Sequence, residues 1–142
     1  MPVTISLYNH TAKRFMDGSN AVGDSYKLLL ATSATFSAAN TTLAGITYTE
    51  VANGNGYTTG GLALTNVVVN QSSNDAAFDA DDATWTASGG AITASYAILY
   101  NATDANSPPL AFIDMGGSQS AGDGTQFKVI WNASGIVTGT VA

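Results

Sequence analysis

Cysteine is absent from the 142 residues, histidine occurs once, and lysine and arginine together number four. Each scarcity removes a class of chemistry. Without cysteine there is no disulfide framework, no thiolate nucleophile and no cysteine-held zinc. Four cations against ten carboxylates leave a formal net charge of −6, whereas nucleic-acid binding needs a basic face that neutralises phosphates. Nucleic acid is therefore not an expected partner. No apolar run approaches the roughly 18 residues of a membrane-spanning helix. The opening MPVTISLYNH also lacks the charged-then-apolar plan of a secretory leader, so no membrane partner is expected. Charged residues make up only 10% of the chain, where soluble domains carry about 25%.

What is present is alanine, small polar residues and short alternating runs. Hydrophobic residues reach 45%, but 23 of them are alanine. The larger apolar side chains still suffice for a packed core, and the length suits one domain over 1–142. Val3–Tyr8, Ile46–Val51 and Ala83–Ala87 alternate apolar and polar residues, the period of a half-buried strand. Tyr26–Thr32 is a continuous apolar run and reads as a buried strand. Leu62–Val69, Ile92–Tyr100, Leu110–Met115, Phe127–Trp131 and Ile136–Val141 read as further strands. Gly54–Gly61 reads as a turn region, Asp104–Pro109 as a loop and Gly116–Gly124 as a flexible loop. Helix is confined to Phe36–Leu43, with Ser37 as its cap, and to a single turn at His10–Phe15. Roughly eight to ten short strands with little helix predict an all-β domain, a β-sandwich or a jelly-roll-like barrel. Residues 1–20 read as a docking arm or as a first strand plus turn.

Catalytic chemistry is not visible. The lone His10 has no marked serine or elbow motif to serve. It sits beside Lys13 and Arg14, half of the chain's cations, and these three residues form a candidate docking contact for an acidic partner surface. Asp75, Asp79, Asp81 and Asp82 form the densest run of acids and a candidate cation cluster. Oxygen-rich loops suit Ca²⁺, but the spacing does not match the helical calcium loop, and a solvated acidic turn is the favoured reading. No cofactor is expected. Glu50 and Asp114 are the carboxylates to weigh for glycoside hydrolysis, which needs a pair about 5–9.5 Å apart in a sugar-binding cleft; an enzyme is not expected. Tyr8, Tyr26, Tyr48, Tyr57, Trp85, Tyr96, Tyr100 and Trp131 scatter over the predicted strands, which suits core packing better than a sugar-stacking platform.

Five stretches carry a resemblance to a known family. They are Glu50–Leu64 (EVANGNGYTTGGLAL), Phe78–Trp85 (FDADDATW), Ser95–Asn101 (SYAILYN), Pro108–Gly117 (PPLAFIDMGG) and Phe127–Val137 (FKVIWNASGIV). In this order they resemble small β-rich structural proteins of tailed-bacteriophage virions, and the likeness spans about residues 3–138. The family has no agreed functional residue, so none is carried over. The resemblance implies a non-enzymatic virion component present in many copies, with a capsid decoration (cement) protein as the leading expectation. Its partner would be the major capsid protein or another virion protein, and it would act as a homo-oligomer, with a trimer as the expected order. Residues Pro2–Arg14 would dock, and the Gly54–Gly61 and Gly116–Gly124 loops would touch sister subunits or the shell. A neck, tail or fibre-attachment component is the alternative within the virion. A carbohydrate-binding module is the alternative outside it.

Overall fold

The structure is a computed structural model and describes residues 3–141. It is all-β, as the alternating runs predict. Eleven strands form, numbered in chain order: β1 Thr4–Leu7, β2 Tyr26–Ala34, β3 Tyr48–Glu50, β4 Leu62–Ala63, β5 Val68–Ser72, β6 Asp75–Asp79, β7 Ala83–Thr86, β8 Ile92–Asn101, β9 Pro109–Ala121, β10 Gln126–Val129 and β11 Val137–Thr140. One short helix, α1, spans Thr11–Met16, and a 3-10 turn spans Leu43–Gly45. Every strand pair is antiparallel. The main sheet runs β1-β9-β8-β2-β3, with β4 also paired to β2; β10 pairs with β7, and β11-β6-β5 form a third sheet.

The continuous apolar runs in β2, β8 and β9 have a direct cause: both faces of the main sheet are covered. On one face Leu28, Leu30, Ala97, Leu99 and Ile113 pack against Phe78, Trp85, Phe127, Trp131 and Ile136 from the two smaller sheets and their loops. On the other face Leu29, Ala31, Ile98, Tyr100 and Phe112 pack with Tyr8 and Ile46. Alternate residues of one strand thus enter opposite cores, and neither face tolerates a polar period. Each fully buried aliphatic side chain here is worth about 1.5–3 kcal/mol of transfer free energy.

Three expectations are corrected. Phe36–Leu43 forms no helix: Ser37 makes no cap, and only Thr42 does so, its Oγ1 accepting from Gly45 N at 3.1 Å for the short 3-10 turn. The β-branched Thr41 and Thr42 disfavour helix, and Phe36 is drawn instead onto Tyr8 and Phe112, ring centroids 5.1 and 5.4 Å away. Gly116–Gly124 is not one flexible loop, because β9 continues through it to Ala121. Gly116 and Gly117 take φ of 74° and 143°, which lets β9 bulge where its register against β8 shifts between Ala94 and Tyr96. The strands are also not uniformly short, since β8 has 10 residues and β9 has 13.

Candidate interaction surface

β1 forms one edge of the main sheet. Its four residues pair with β9 through Thr4–Asp114, Ile5–Ile113, Ser6–Phe112 and Leu7–Ala111. On its outer side no strand pairs with it, and no other hydrogen bond reaches residues 3–7 among the described residues. The alternation that makes this segment a strand turns Ile5 and Leu7 toward the same side as Ile113, but beyond the reach of the core. Val3, Ile5 and Leu7 remain 61%, 39% and 41% exposed, and Ile130, after β10, is 71% exposed. A cleft of about 410 Å³ opens beside Val3, lined by Ile113, Met115, Phe127 and Ile130. A second cleft of about 350 Å³ flanks Ile5 and Leu7 and is lined by Asn132, Ser134, Gly135, Ile136 and Thr138. Among the described residues no carboxylate side chain lines either cleft, and the only charged lining group is Lys128. Natural edge strands are normally blunted by shortness, charge, proline or a bulge; β1 is short, at four residues, and carries no charge, proline or bulge.

On the opposite side of the sheet the flank of β2 is closed, while β3 and β4 are themselves edge strands with no strand paired to their outer sides among the described residues. β3 covers β2 from Ala31 to Ala34 and β4 covers Lys27 and Leu28, leaving Leu30 between them. The Tyr57 hydroxyl fills that gap, accepting from Leu30 N at 3.1 Å, while Val51 N donates to Leu30 O at 3.0 Å. Tyr57 then donates to Glu50 Oε1 at 2.7 Å, and Gly60 N donates to the same oxygen at 2.6 Å. Tyr100 donates its hydroxyl to Gly60 O at 2.6 Å. Burial is the main reason the Tyr57 and Tyr100 hydroxyls are pushed above the usual tyrosine range, with the Glu50 carboxylate adding to it. Glu50, the chain's single glutamate, is therefore a latch between strands. Asp114 accepts from Gly116 N at 2.9 Å and holds the β9 bulge.

The residues singled out as a docking contact lie on and before α1, and most of their polar capacity is directed inward. His10 donates from Nε2 to Pro109 O at 2.8 Å. Arg14 donates to Asn20 Oδ1, Ser19 O and Asp104 Oδ2 at 3.1, 3.2 and 3.2 Å, and its side chain is only 16% exposed. Asn20 Oδ1 in turn accepts from the fully buried Asn101 at 3.1 Å. The guanidinium thus fastens α1 to the turn after β8, and is not held out for a partner. Lys13 is exposed and meets Asp17 at 2.6 Å, one helical turn on.

The four aspartates close in sequence do not converge in space, and no group of three or more metal-ligating side chains exists among the described residues. Asp75 accepts from Thr140 Oγ1 at 2.7 Å. Asp81 accepts from Thr65 Oγ1 and Asn66 Nδ2 at 3.1 and 2.6 Å. Asp82 accepts from Trp131 N at 3.0 Å. Asp79 ends β6 and keeps one buried oxygen without a partner. Asp75 and Asp79 lie on the β5–β6 hairpin, which has Ser73 at φ 56° in its turn, whereas Asp81 and Asp82 lie in the link that feeds β7 and Trp85.

The expected contact loop Gly54–Gly61 is folded onto the molecule. A Cβ on Gly56 would collide with the Thr86 carbonyl, and one on Gly61 with the Leu28 carbonyl. Tyr8, Tyr26, Tyr57, Trp85, Tyr100 and Trp131 are buried, and Tyr48 and Tyr96 are half-buried. They make ring–ring contacts such as Tyr57–Trp85 and Trp85–Phe127, and they do not form an open stacking face. The sequence reading missed Val3, Ile5, Leu7 and Ile130 as exposed side chains. Its only available signal was the lack of any charge in the first nine residues. In comparisons with known proteins, no family model, no curated protein and no solved structure matches this chain.

Proposed function

We propose that the protein is a non-enzymatic structural component of a tailed-bacteriophage virion, acting as a capsid decoration protein. The observation that carries this reading is the bare, acid-free apolar edge at β1 on a chain with so little charge. Low charge makes burial against neighbours cheap in desolvation, and an edge strand flanked by clefts supplies a place to be buried. The resemblance of residues 3–138 to virion structural proteins supports the same role. Attachment runs through the β1 side of the N-terminal segment, with Lys13 as its exposed cation, because Arg14 is tied to Asp104 and Asn20.

The test is the copy number of this chain in purified particles of the virus that encodes it, measured by quantitative mass spectrometry against the major capsid protein. Hundreds of copies per particle, lost on mild stripping without loss of the shell, is the expected result. A ring-like number on the order of six to twelve assigns the chain to the neck or tail, since closed cyclic assemblies set such stoichiometries. Absence from the particle rejects the virion reading.

A further inference from the structure

β9 and β10 follow one another through a turn at residues 122–125, yet they do not pair. β9 lies in the main sheet and β10 in the sheet with β7, so the two strands splay apart from their turn. β1 covers β9 only as far as Asp114. No strand and no backbone hydrogen bond reaches the far side of β10 among the described residues. The cleft of about 410 Å³ fills this splay, and the unbroken runs Gln119–Ala121 and Gln126–Ile130 line it, as they do in a groove between two strand edges. On β10, Phe127 is buried and Val129 half-buried on the inner face, while Gln126, Lys128 and, just beyond the strand, Ile130 are exposed on the outer face. The buried core residues Ile113 and Met115 form the inner wall with Phe127.

We propose that this cleft receives an extended segment of a partner protein, added as a strand along β10, with apolar side chains on its inner face and an acidic side chain opposite Lys128. The alternation of β10 sets that chemistry. Every second side chain of an added strand lies over Phe127, Ile113 and Met115, and the others lie beside Gln126, Lys128 and Ile130. Main-chain hydrogen bonds to a bare edge supply the affinity in this mode, and alternate side chains supply the selectivity. Lys128 takes part in no ion pair among the described residues. A lysine on an edge turns other strands away, and a carboxylate directly opposite removes that obstacle, so Lys128 admits an acidic strand and rejects a basic one. The other clefts lack this combination. The one between Phe15 and Val69 has no charged side chain, the one at Ile5 and Leu7 has none, and the one at Asn70 carries Asp75 and Asp79. Gln126–Ile130 span about 17 Å of extended chain. That the segment belongs to another virion protein rests on the proposed function; the chemistry of the cleft does not.

The test titrates the purified full chain, by amide NMR, with two short blocked peptides that alternate valine and threonine. One carries aspartate in place of its central threonine, the other lysine. The aspartate peptide is expected to move the amide resonances of Gln126–Ile130 and Gln119–Ala121, and to bind about fivefold or more tighter than the lysine peptide. Lys128→Glu is expected to reverse that order and Lys128→Gln to erase it, both at an exposed position that leaves the fold unchanged. No binding, shifts confined to other strands, equal binding of the two peptides, or an order that survives Lys128→Glu overturns the proposal. A chain abundant in particles that ignores both peptides loses this cleft alone. A chain that selects the aspartate peptide yet is absent from particles keeps the cleft and loses the virion reading.

Discussion

At the β3–β4 edge of the main sheet a tyrosine hydroxyl takes the place of a missing strand carbonyl, and one carboxylate binds the flanking segments together. At the β1 edge four residues offer unpaired backbone, and three aliphatic side chains stand beside open clefts. Both edges belong to one sheet and face the same solvent, so local strand propensity does not explain the difference. The closed edge uses polar groups that burial makes expensive to leave unpaired, so its geometry is fixed. The open edge presents apolar groups with no directional demand, so nothing comparable fixes its outer side.

The strongest test of the closed edge is Gly61→Ala. Gly61 sits at φ 89° with Leu28 backbone where a Cβ would go, so the substitution combines strain with a backbone collision. A loss of about 3 kcal/mol or more in urea-unfolding stability is expected. A loss below about 1 kcal/mol would show that this edge yields easily. Glu50→Ala comes next, with an expected loss of about 2–3 kcal/mol, because two donors lose a charged acceptor. Glu50→Gln should recover part of it, since one oxygen remains to accept from Gly60 N.

Arg14→Ala should cost about 1–2 kcal/mol, because it frees three acceptors on the turn regions that α1 secures. An unchanged midpoint would return Arg14 to the pool of docking groups. Alkaline pH acts more weakly on each group. Burial pushes Tyr8 up to about 12 and raises Tyr26, Tyr57 and Tyr100 as well. Unfolded tyrosines ionise near pH 10, so above that point the unfolded state holds fewer protons than the folded one. Stability is then complete below about pH 10 and falls as pH rises toward the folded-state values. Urea midpoints collected across that window should decline together with the rise of tyrosinate absorbance; parallel ionisation without loss of stability contradicts the burial. The smallest effect belongs to the open edge: Ile5→Lys should alter monomer stability by no more than about 0.5 kcal/mol, as an exposed site does. A larger loss would mean that Ile5 belongs to the core and that the edges differ less than their geometry suggests.

Much of the fold was readable in the chain. β2 announced itself through a continuous apolar run, β8 through mixed alternation and aromatic content, the first half of β9 also read as a strand, and His10–Phe15 gave its single helical turn. The β5–β6 hairpin did not, because all five residues of β5 are exposed and a strand with both faces wet carries no apolar period. The second half of β9 was hidden by Gly116 and Gly117, which signal a loop in sequence and form a bulge in space. The acidic run failed as a candidate site because its members are held apart: Asp75 and Asp79 lie at the two ends of β6, while Asp81 and Asp82, in the link to β7, are taken up by Thr65 and Asn66 and by Trp131 N. Arg14 looked available because sequence does not show that Asn20 and Asp104, six and ninety residues away, converge on it.

By itself the sequence determined the all-β class, the doubly covered central strands and the poverty of charge, since these follow from composition and from the two-residue period of a strand. Only the tertiary structure decided that the flank of β2 is latched and that the apolar side chains of β1 stay bare. The alternation of Val3–Leu7 is that of any half-buried strand. Its apolar face is exposed because the covering layers, centred on Trp85, Phe127 and Trp131, stop short of β1, and the extent of a neighbouring layer is not a property of the strand beneath it.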